Sequence, residues 1–165
     1  MAKDYLLASI SDQEKIIETL INLIADFPDM PPSVKKIMFY DMLPSNECIG
    51  IATTRSAIVF KKYINGDYIG QYRFRMDYRY ATKNPDERIQ KQSLLSTISE
   101  WLSKKPIQRL DGTTYSISEY PEISDVISIS SIEIVDRAIL VDKNKSGFED
   151  SIIDLVLKYY RKEVI

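Results

Sequence analysis

The sequence predicts an α+β domain, an antiparallel-rich sheet with two helices packed on it. Three observations carry that expectation. Two stretches, 12–27 and 86–104, space their apolar residues as helices do, and each is closed by a proline. Between them, apolar and polar residues alternate on both sides of an Asn65-Gly66 pair. After the second helix, Val126 to Val135 alternate again and are rich in isoleucine and valine. Helix, meander, helix and strand pair, in that order, lay both helices against one face of a sheet. The chain has 165 residues, the size of one domain, and residues 1–165 are read as a single unit.

The elements follow in order. Ser11-Asp12-Gln13-Glu14 reads as a capping box, with the serine hydroxyl and the glutamate satisfying free N–H groups of the first turn. Ile16, Ile17, Leu20, Ile21, Leu23, Ile24 and Phe27 then form a wide apolar stripe, and Pro28 stops it. Strands are expected at Lys36–Leu43, Ile49–Thr54, Ser56–Ile64 and Asp67–Tyr80. Asn65-Gly66 fits a two-residue type I′ turn, because both positions need positive φ. Such a turn pairs Ile64 with Asp67, Tyr63 with Tyr68, Val59 with Tyr72 and Ala57 with Phe74. One face then carries Tyr68, Tyr72, Phe74, Met76, Tyr78 and Tyr80, and the other carries Ile69, Gln71, Arg73, Arg75 and Arg79. Near the turn both faces stay apolar, which suits a hairpin protruding near 58–75 and touching another chain.

Asn84-Pro85-Asp86-Glu87 opens the second helix. Ile89, Leu94, Leu95, Ile98, Trp101 and Leu102 give its apolar side, and Pro106 follows its end. Asp111-Gly112 marks a turn, and Asp142–Gly147 reads as a polar loop. The run from Ile152 to Arg161 fits either period: Ile153, Leu155, Leu157 and Tyr159 alternate, while Ile152, Leu155, Val156, Tyr159 and Tyr160 form a helical stripe.

Composition removes whole classes of chemistry. The chain has no histidine, so serine and cysteine triads, histidine bases and His-containing zinc sites are excluded. The single cysteine, Cys48, permits no internal disulfide and reads as a small apolar filler. Neither glycine-rich phosphate-binding pattern occurs. No cofactor, metal or catalytic residue is expected, and the chain reads as a non-enzyme. The start, MAKDYLLASISDQEK, does not read as a signal peptide, and no apolar run is long enough to span a membrane. Net charge is −2 but unevenly spread. Residues 55–109 hold twelve basic and five acidic residues, the remainder ten and nineteen, a polarity that can drive head-to-side self-assembly.

The candidate functional residues are therefore contact residues: Tyr63, Ile64, Tyr68 and Ile69 at the hairpin, and Arg73, Arg75 and Arg79 along one side of the following strand. The arginine row suits a neighbour's carboxylates or phosphates; a solvated sheet face with local salt bridges is the competing reading. Glu149, Asp150 and Asp154 read as the opening of a terminal helix or as part of a solvated loop.

Lys61-Lys62-Tyr63-Ile64-Asn65-Gly66, followed by Gln71-Tyr72-Arg73-Phe74 and by Ser99-Glu100-Trp101-Leu102, resembles a family of small phage proteins. These are the tail terminators, also called minor capsid proteins, of phages that infect Gram-positive bacteria. Lys61, Tyr63, Gly66, Gln71, Tyr72, Phe74 and Trp101 stand at matching places, and the resemblance runs over roughly 12–161. It implies a tail-terminator-like α+β fold and a hexameric ring that ends the tail tube in the neck of the virion. The implied partners are copies of itself, the tail tube protein and the head–tail connector protein, with passing contact to DNA in the lumen and none with membrane. Assembly would take place in the host cytoplasm. The segments Leu110–Asp125 and Asp142–Gly147 depart from the family pattern. Related rings cap phage-tail-like bacteriocins. A small protein-binding adaptor, or another neck or head-completion component, is the alternative reading.

Overall fold

Ser9, not Ser11, starts the first helix. In the computed structural model, which describes residues 9–34, 37–39, 47–81, 85–143 and 148–163, helix α1 spans Ile10–Ala25 and the Ser9 hydroxyl accepts the Asp12 N–H at 3.1 Å. The sequence Ser-Ile-Ser-Asp-Gln-Glu offers two serines as caps, and the earlier one is used. Asp12 is then in the first turn, where its charge suits the positive helix end. The helix stops two residues short of Phe27, because Pro28 disfavours the helical conformation at the residue before it.

The strands are β1 (Ile37–Phe39), β2 (Cys48–Lys62) and β3 (Tyr68–Ala81) before helix α2 (Pro85–Leu102), then β4 (Ile107–Gln108), β5 (Thr114–Tyr115), β6 (Ile127–Lys143) and β7 (Phe148–Arg161). Five of them form one sheet in the order β1-β2-β3-β7-β6, antiparallel throughout except that β1 runs parallel to β2. β4 and β5 form a separate short hairpin. The fold is α+β with a mostly antiparallel sheet and two helices. Of the expected strand Lys36–Leu43, Ile37–Phe39 is a strand and the rest lies outside the described residues, as do residues 144–147 of the Asp142–Gly147 loop.

Three expectations about the hairpin are corrected. The two strands expected at Ile49–Thr54 and Ser56–Ile64 are one strand, β2, whose pairing slips between Thr53 and Arg55, Arg55 and Ile58, and Val59 and Lys61. Those irregularities break the alternation and mimic a boundary. The turn has three residues, not two. The Gly66 N–H donates to the Tyr63 carbonyl at 3.0 Å and the Tyr63 N–H to the Asp67 carbonyl at 2.8 Å, with Gly66 at φ 94°. This is a turn closed by a glycine bulge, and it uses the same Asn-Gly pair differently. Lys62 therefore faces Tyr68, Val59 faces Gly70 and Thr53 faces Phe74. Finally, β3 pairs with β7 from Tyr68 to Ala81, so the segment near 58–75 does not stand clear of the sheet; only the loop 63–67 passes the end of the β3–β7 ladder.

The alternation along β3 holds. Tyr72, Phe74, Met76, Tyr78 and Tyr80 are all fully buried on the helix side of the sheet. They meet Ile16, Leu20 and Ile24 of α1 and Leu95, Ile98, Trp101 and Leu102 of α2 in one core. Each such side chain contributes on the order of 1.5–3 kcal/mol by leaving water. The hydroxyls of the three buried β3 tyrosines have partners: Thr53 for Tyr72 at 2.6 Å, Ser151 for Tyr80 at 2.8 Å and Glu47 for Tyr78 at 3.0 Å. Cys48 is buried, and burial raises its thiol pKa, which keeps it an unreactive thiol.

The ambiguous C-terminal run is strand β7, lying between β3 and β6. Ile153, Leu155, Leu157 and Tyr159 point into the core, while Ile152 and Val156 are buried on the opposite face. Because its outer face also holds Ile152 and Val156 among Asp150, Asp154 and Lys158, the apolar run looks continuous and its period is hidden in the sequence.

Candidate protein–protein interface

The sheet face away from the helices carries the arginine row, and β7 brings a matching acidic row beside it. Arg75 and Asp154 are register partners, as are Arg79 and Asp150. Arg79 Nε and Nη2 bind the two Asp150 oxygens at 2.7 and 2.8 Å, with side chains only 15% and 16% exposed. Asp150 holds the Arg79 guanidinium above its usual pKa. Arg75 reaches Asp154 at 2.9 and 3.4 Å in a wetter setting, 40% and 25% exposed. Glu149 points the other way and is buried. So Glu149, Asp150 and Asp154 open no helix and line no loop; they sit on a central strand, and two of them are counterions.

Arg73 is different. It is exposed, its register partner is Val156, and it makes no ion pair among the described residues. Of the three arginines, it alone offers its charge outward. The reading of a sheet face with local salt bridges fits Arg75 and Arg79.

The hairpin tip is exposed but firmly held. Ile64 is 109% exposed and Tyr63 38%. Beneath them, the Asp67 carboxylate accepts the Tyr160 hydroxyl, the Glu163 N–H at 2.9 Å and the Asn65 side-chain amide at 3.2 Å. The Tyr160 hydroxyl leads in holding the Asp67 carboxyl below its ordinary pKa, followed by the Glu163 N–H. The Asn65 side chain accepts the Asp67 N–H at 3.0 Å. Tyr63 leans on the Tyr160 ring, with centroids 6.1 Å apart, and the Lys61 ammonium lies 5.2 Å from the Tyr63 ring centre. Arg161, next to Tyr160, also binds Asp12 of α1 at 2.7 Å. The loop is thus tied to the last strand, and that strand to the first helix.

The seven candidate residues do not form one site. Tyr63 and Ile64 form the tip. Ile69, opposite Tyr160, shares the outer sheet face with Arg73, Arg75 and Arg79. Tyr68 lies on the helix side, edge-on to the buried Tyr159 with ring centroids 6.0 Å apart, and is a packing residue.

Sequence reasoning missed a second surface. A groove of about 660 Å³ runs between the C-terminal half of α2 and the outer strand β6. β6 carries an extra residue at Ser130, between the Ile129–Tyr159 and Ser131–Lys158 pairs, and another at Val135, between Ile134–Leu155 and Asp136–Asp154. Both bulged residues line the groove, and Val135 is 44% exposed. A bulge re-aims a side chain without changing the residue pattern, so the sequence carried no sign of it.

A second hairpin repeats the tip's geometry. At Leu110-Asp111-Gly112 the Arg109 N–H donates to the Thr113 carbonyl at 2.8 Å, the Gly112 N–H to the Arg109 carbonyl at 3.0 Å, and Leu110 is 111% exposed. Arg109 binds Asp29 at 3.0 Å, which anchors this hairpin beyond the end of α1. Asp12 ties the hairpin-tip region to the start of that helix. The two exposed aliphatics are therefore anchored at opposite ends of a 16-residue helix, about 24 Å long.

Among the described residues, no group of three His, Cys, Asp or Glu side chains could hold a metal ion, and no helix is long and apolar enough to cross a membrane. What the arrangement offers chemically is exposed apolar points on held loops, an outward arginine and a lined groove. No protein-family model matches the chain, and no curated protein matches it.

Proposed function

We propose that this chain is a structural assembly protein of a phage tail, a terminator whose copies close into a ring, end the tail tube and meet the head–tail connector. Its place would be the neck of the virion, after assembly in the host cytoplasm, and its role is non-enzymatic. The observation that carries this reading is the Tyr63–Ile64 tip. An isoleucine is displayed wholly in water on a loop that Asp67, Tyr160 and Glu163 hold in one shape. Rigid presentation lowers the ordering cost of docking, so such a tip suits contact with another protein. The resemblance carried by Lys61, Tyr63, Gly66, Gln71, Tyr72, Phe74 and Trp101 supplies the setting. Arg73, facing outward on the same sheet face as Ile69, adds a charged point for a tube or connector surface.

The test is the mass and negative-stain shape of the purified protein, alone and with tail tube protein. Rings of about six subunits, the closed symmetry that head-to-tail contacts give, or caps on tube ends, are expected. A monomer that ignores tube protein would overturn the proposal and favour the adaptor reading.

A further inference from the structure

Asn65-Gly66 is the one Asn-Gly pair in the sequence, and Asn65 stands exposed at the hairpin tip. The pair has a reaction of its own. The Gly66 nitrogen, once it has lost its proton to solvent base, attacks Cγ of the Asn65 side chain. A bond forms between that nitrogen and Cγ, the Cγ–Nδ2 bond breaks, and Nδ2 leaves as ammonia with a proton from water. Water then opens the five-membered imide. Opening at Cγ gives aspartate; opening at the main-chain carbonyl gives isoaspartate, with the chain routed through the side chain. Glycine favours the closure because it brings no side chain to hinder the approach.

The folded loop opposes the first step in three ways. The Gly66 N–H donates to the Tyr63 carbonyl at 3.0 Å, so base reaches it only when the loop opens. Both ends of the Asn65 amide are bound to Asp67: Oδ1 accepts the Asp67 N–H at 3.0 Å, and Nδ2 donates to the Asp67 carboxylate at 3.2 Å. The amide must release Asp67 before it can turn back to the Gly66 nitrogen. The Glu163 carboxylate lies over Gly66, where a side chain would stand, and opposes negative charge on that nitrogen. The Tyr160 hydroxyl and the Glu163 N–H hold Asp67 in place, so this clasp sets how often the loop opens.

The product does not fit the loop that forms it, and the second hairpin shows why. Asp111 occupies the turn position that Asn65 occupies at the tip, with the same backbone bonds around it. Its carboxylate accepts the Thr113 N–H at 2.9 Å and the Thr113 hydroxyl at 2.6 Å. An aspartate is at home there because residue 113 brings a second donor. At the tip the corresponding residue is Asp67, whose side chain is an acceptor. Deamidation removes the Nδ2 donor and sets two carboxylates against each other; isoaspartate also lengthens the backbone by one carbon.

We propose that Asn65 is a modification site: it deamidates spontaneously at a rate set by the Asp67 clasp, and the change unlocks the Tyr63–Ile64 tip irreversibly. The chemistry needs no assembly, so it stands or falls independently of the ring reading.

The experiment incubates the full chain in mildly alkaline buffer, folded and in urea. The tryptic peptide 63–73 is followed for the mass gained when an amide becomes an acid, with aspartate and isoaspartate separated by chromatography. Folded protein should convert roughly tenfold or more slowly than protein in urea, the ratio measuring how rarely the loop opens. Asp67→Ala and Tyr160→Phe should each speed conversion of the folded protein, and Tyr160→Phe should leave the rate in urea unchanged; circular dichroism would check that both variants fold. Deamidated protein, separated from its parent by the added negative charge, should exchange its Gly66 and Glu163 amide hydrogens about tenfold faster, and Asn65→Asp should do the same. No conversion in urea would overturn the site. Equal rates folded and in urea, or variants that convert no faster than wild type, would overturn the clasp. Unchanged amide exchange in the deamidated protein would overturn the unlocking.

Discussion

The Tyr159 ring occupies the space where a side chain at Gly70 would stand. The two are register partners on β3 and β7, and a Cβ built on Gly70 would overlap the ring, lying 2.6 Å from Cε1 and closer still to the ring carbon that bears the hydroxyl. Tyr159 is fully buried and edge-on to Tyr68, so its ring has nowhere to withdraw. An aromatic laid across a cross-strand glycine covers the bare backbone and fixes the register of the pair. Gly70→Ala should therefore destabilise the protein, despite alanine's lower backbone entropy cost. Forced overpacking of this kind costs typically 1–3 kcal/mol. Urea unfolding would show a lower midpoint at an unchanged slope; an unchanged midpoint would mean that the ring moves freely.

The three arginines should separate by stability rather than act as one row. Removing Arg79 leaves the Asp150 carboxylate largely buried without its two-pronged partner, a loss of about 2–3 kcal/mol. The Arg75–Asp154 pair is wetter and should cost at most about 1 kcal/mol on Arg75→Ala. Arg73→Ala should stay within about 0.5 kcal/mol of wild type, as surface substitutions do. Urea midpoints of the three alanine variants would show the ranking. It bears on function because only Arg73 can be replaced by glutamate to test binding without also breaking a cross-strand pair.

Why the sequence revealed the face of β3 but not the partners of its arginines follows from β7. The β3 pattern is legible because only one of its faces meets the helices, so Tyr72 to Tyr80 alternate cleanly with Arg73 to Arg79. β7 carries apolar residues on both faces, and Ile152 and Val156 blur its period. Yet one signal was there. Arg75 and Arg79 are four residues apart, as are Asp150 and Asp154, and in antiparallel strands equal spacing lets both pairs meet at once. The tip residues Tyr63 and Ile64 were legible as exposed apolar residues beside a turn. The loop length was not, because Asn65-Gly66 serves a two-residue turn and a glycine-bulged three-residue turn alike. The groove was not legible either, since Ser130 and Val135 reach it only through bulges.

Acid should untie the hairpin tip before it unfolds the core. The Asp67 carboxyl lies below its ordinary pKa, chiefly through the Tyr160 hydroxyl and then the Glu163 N–H. A carboxylate lowered by folding contributes stability that is fully present above its unfolded pKa, near 3.9, and is lost as pH falls through the lower folded value. The amide resonance of Glu163 should then titrate with a midpoint below about 3.9, the unfolded aspartate value. Tyr160→Phe removes the leading donor and should move that midpoint up. A midpoint at the ordinary value in both proteins would show that the Tyr160 contact does not hold in solution.

The end of α2 carries a correctable strain. Lys104 has φ 65°, a left-handed conformation that side chains resist. It is held there because the Lys104 N–H donates to the Trp101 carbonyl at 3.0 Å and the Lys105 N–H to the Glu100 carbonyl at 3.1 Å, the bonding pattern that glycine usually completes at helix ends. Its ammonium recovers part of the cost over the Tyr120 ring, about 0.5 kcal/mol at an exposed site. Lys104→Ala keeps the strain and loses the ring contact, so it should be less stable than wild type by about that amount. Lys104→Gly loses the same contact but relieves the strain, and should exceed the alanine variant by about 1 kcal/mol. Comparing glycine with alanine cancels the side-chain loss and isolates the backbone. Equal thermal midpoints for the two would mean that the helix end relaxes out of the left-handed conformation once the lysine is gone, and that the Tyr120 contact, not the hydrogen bonds, imposes it.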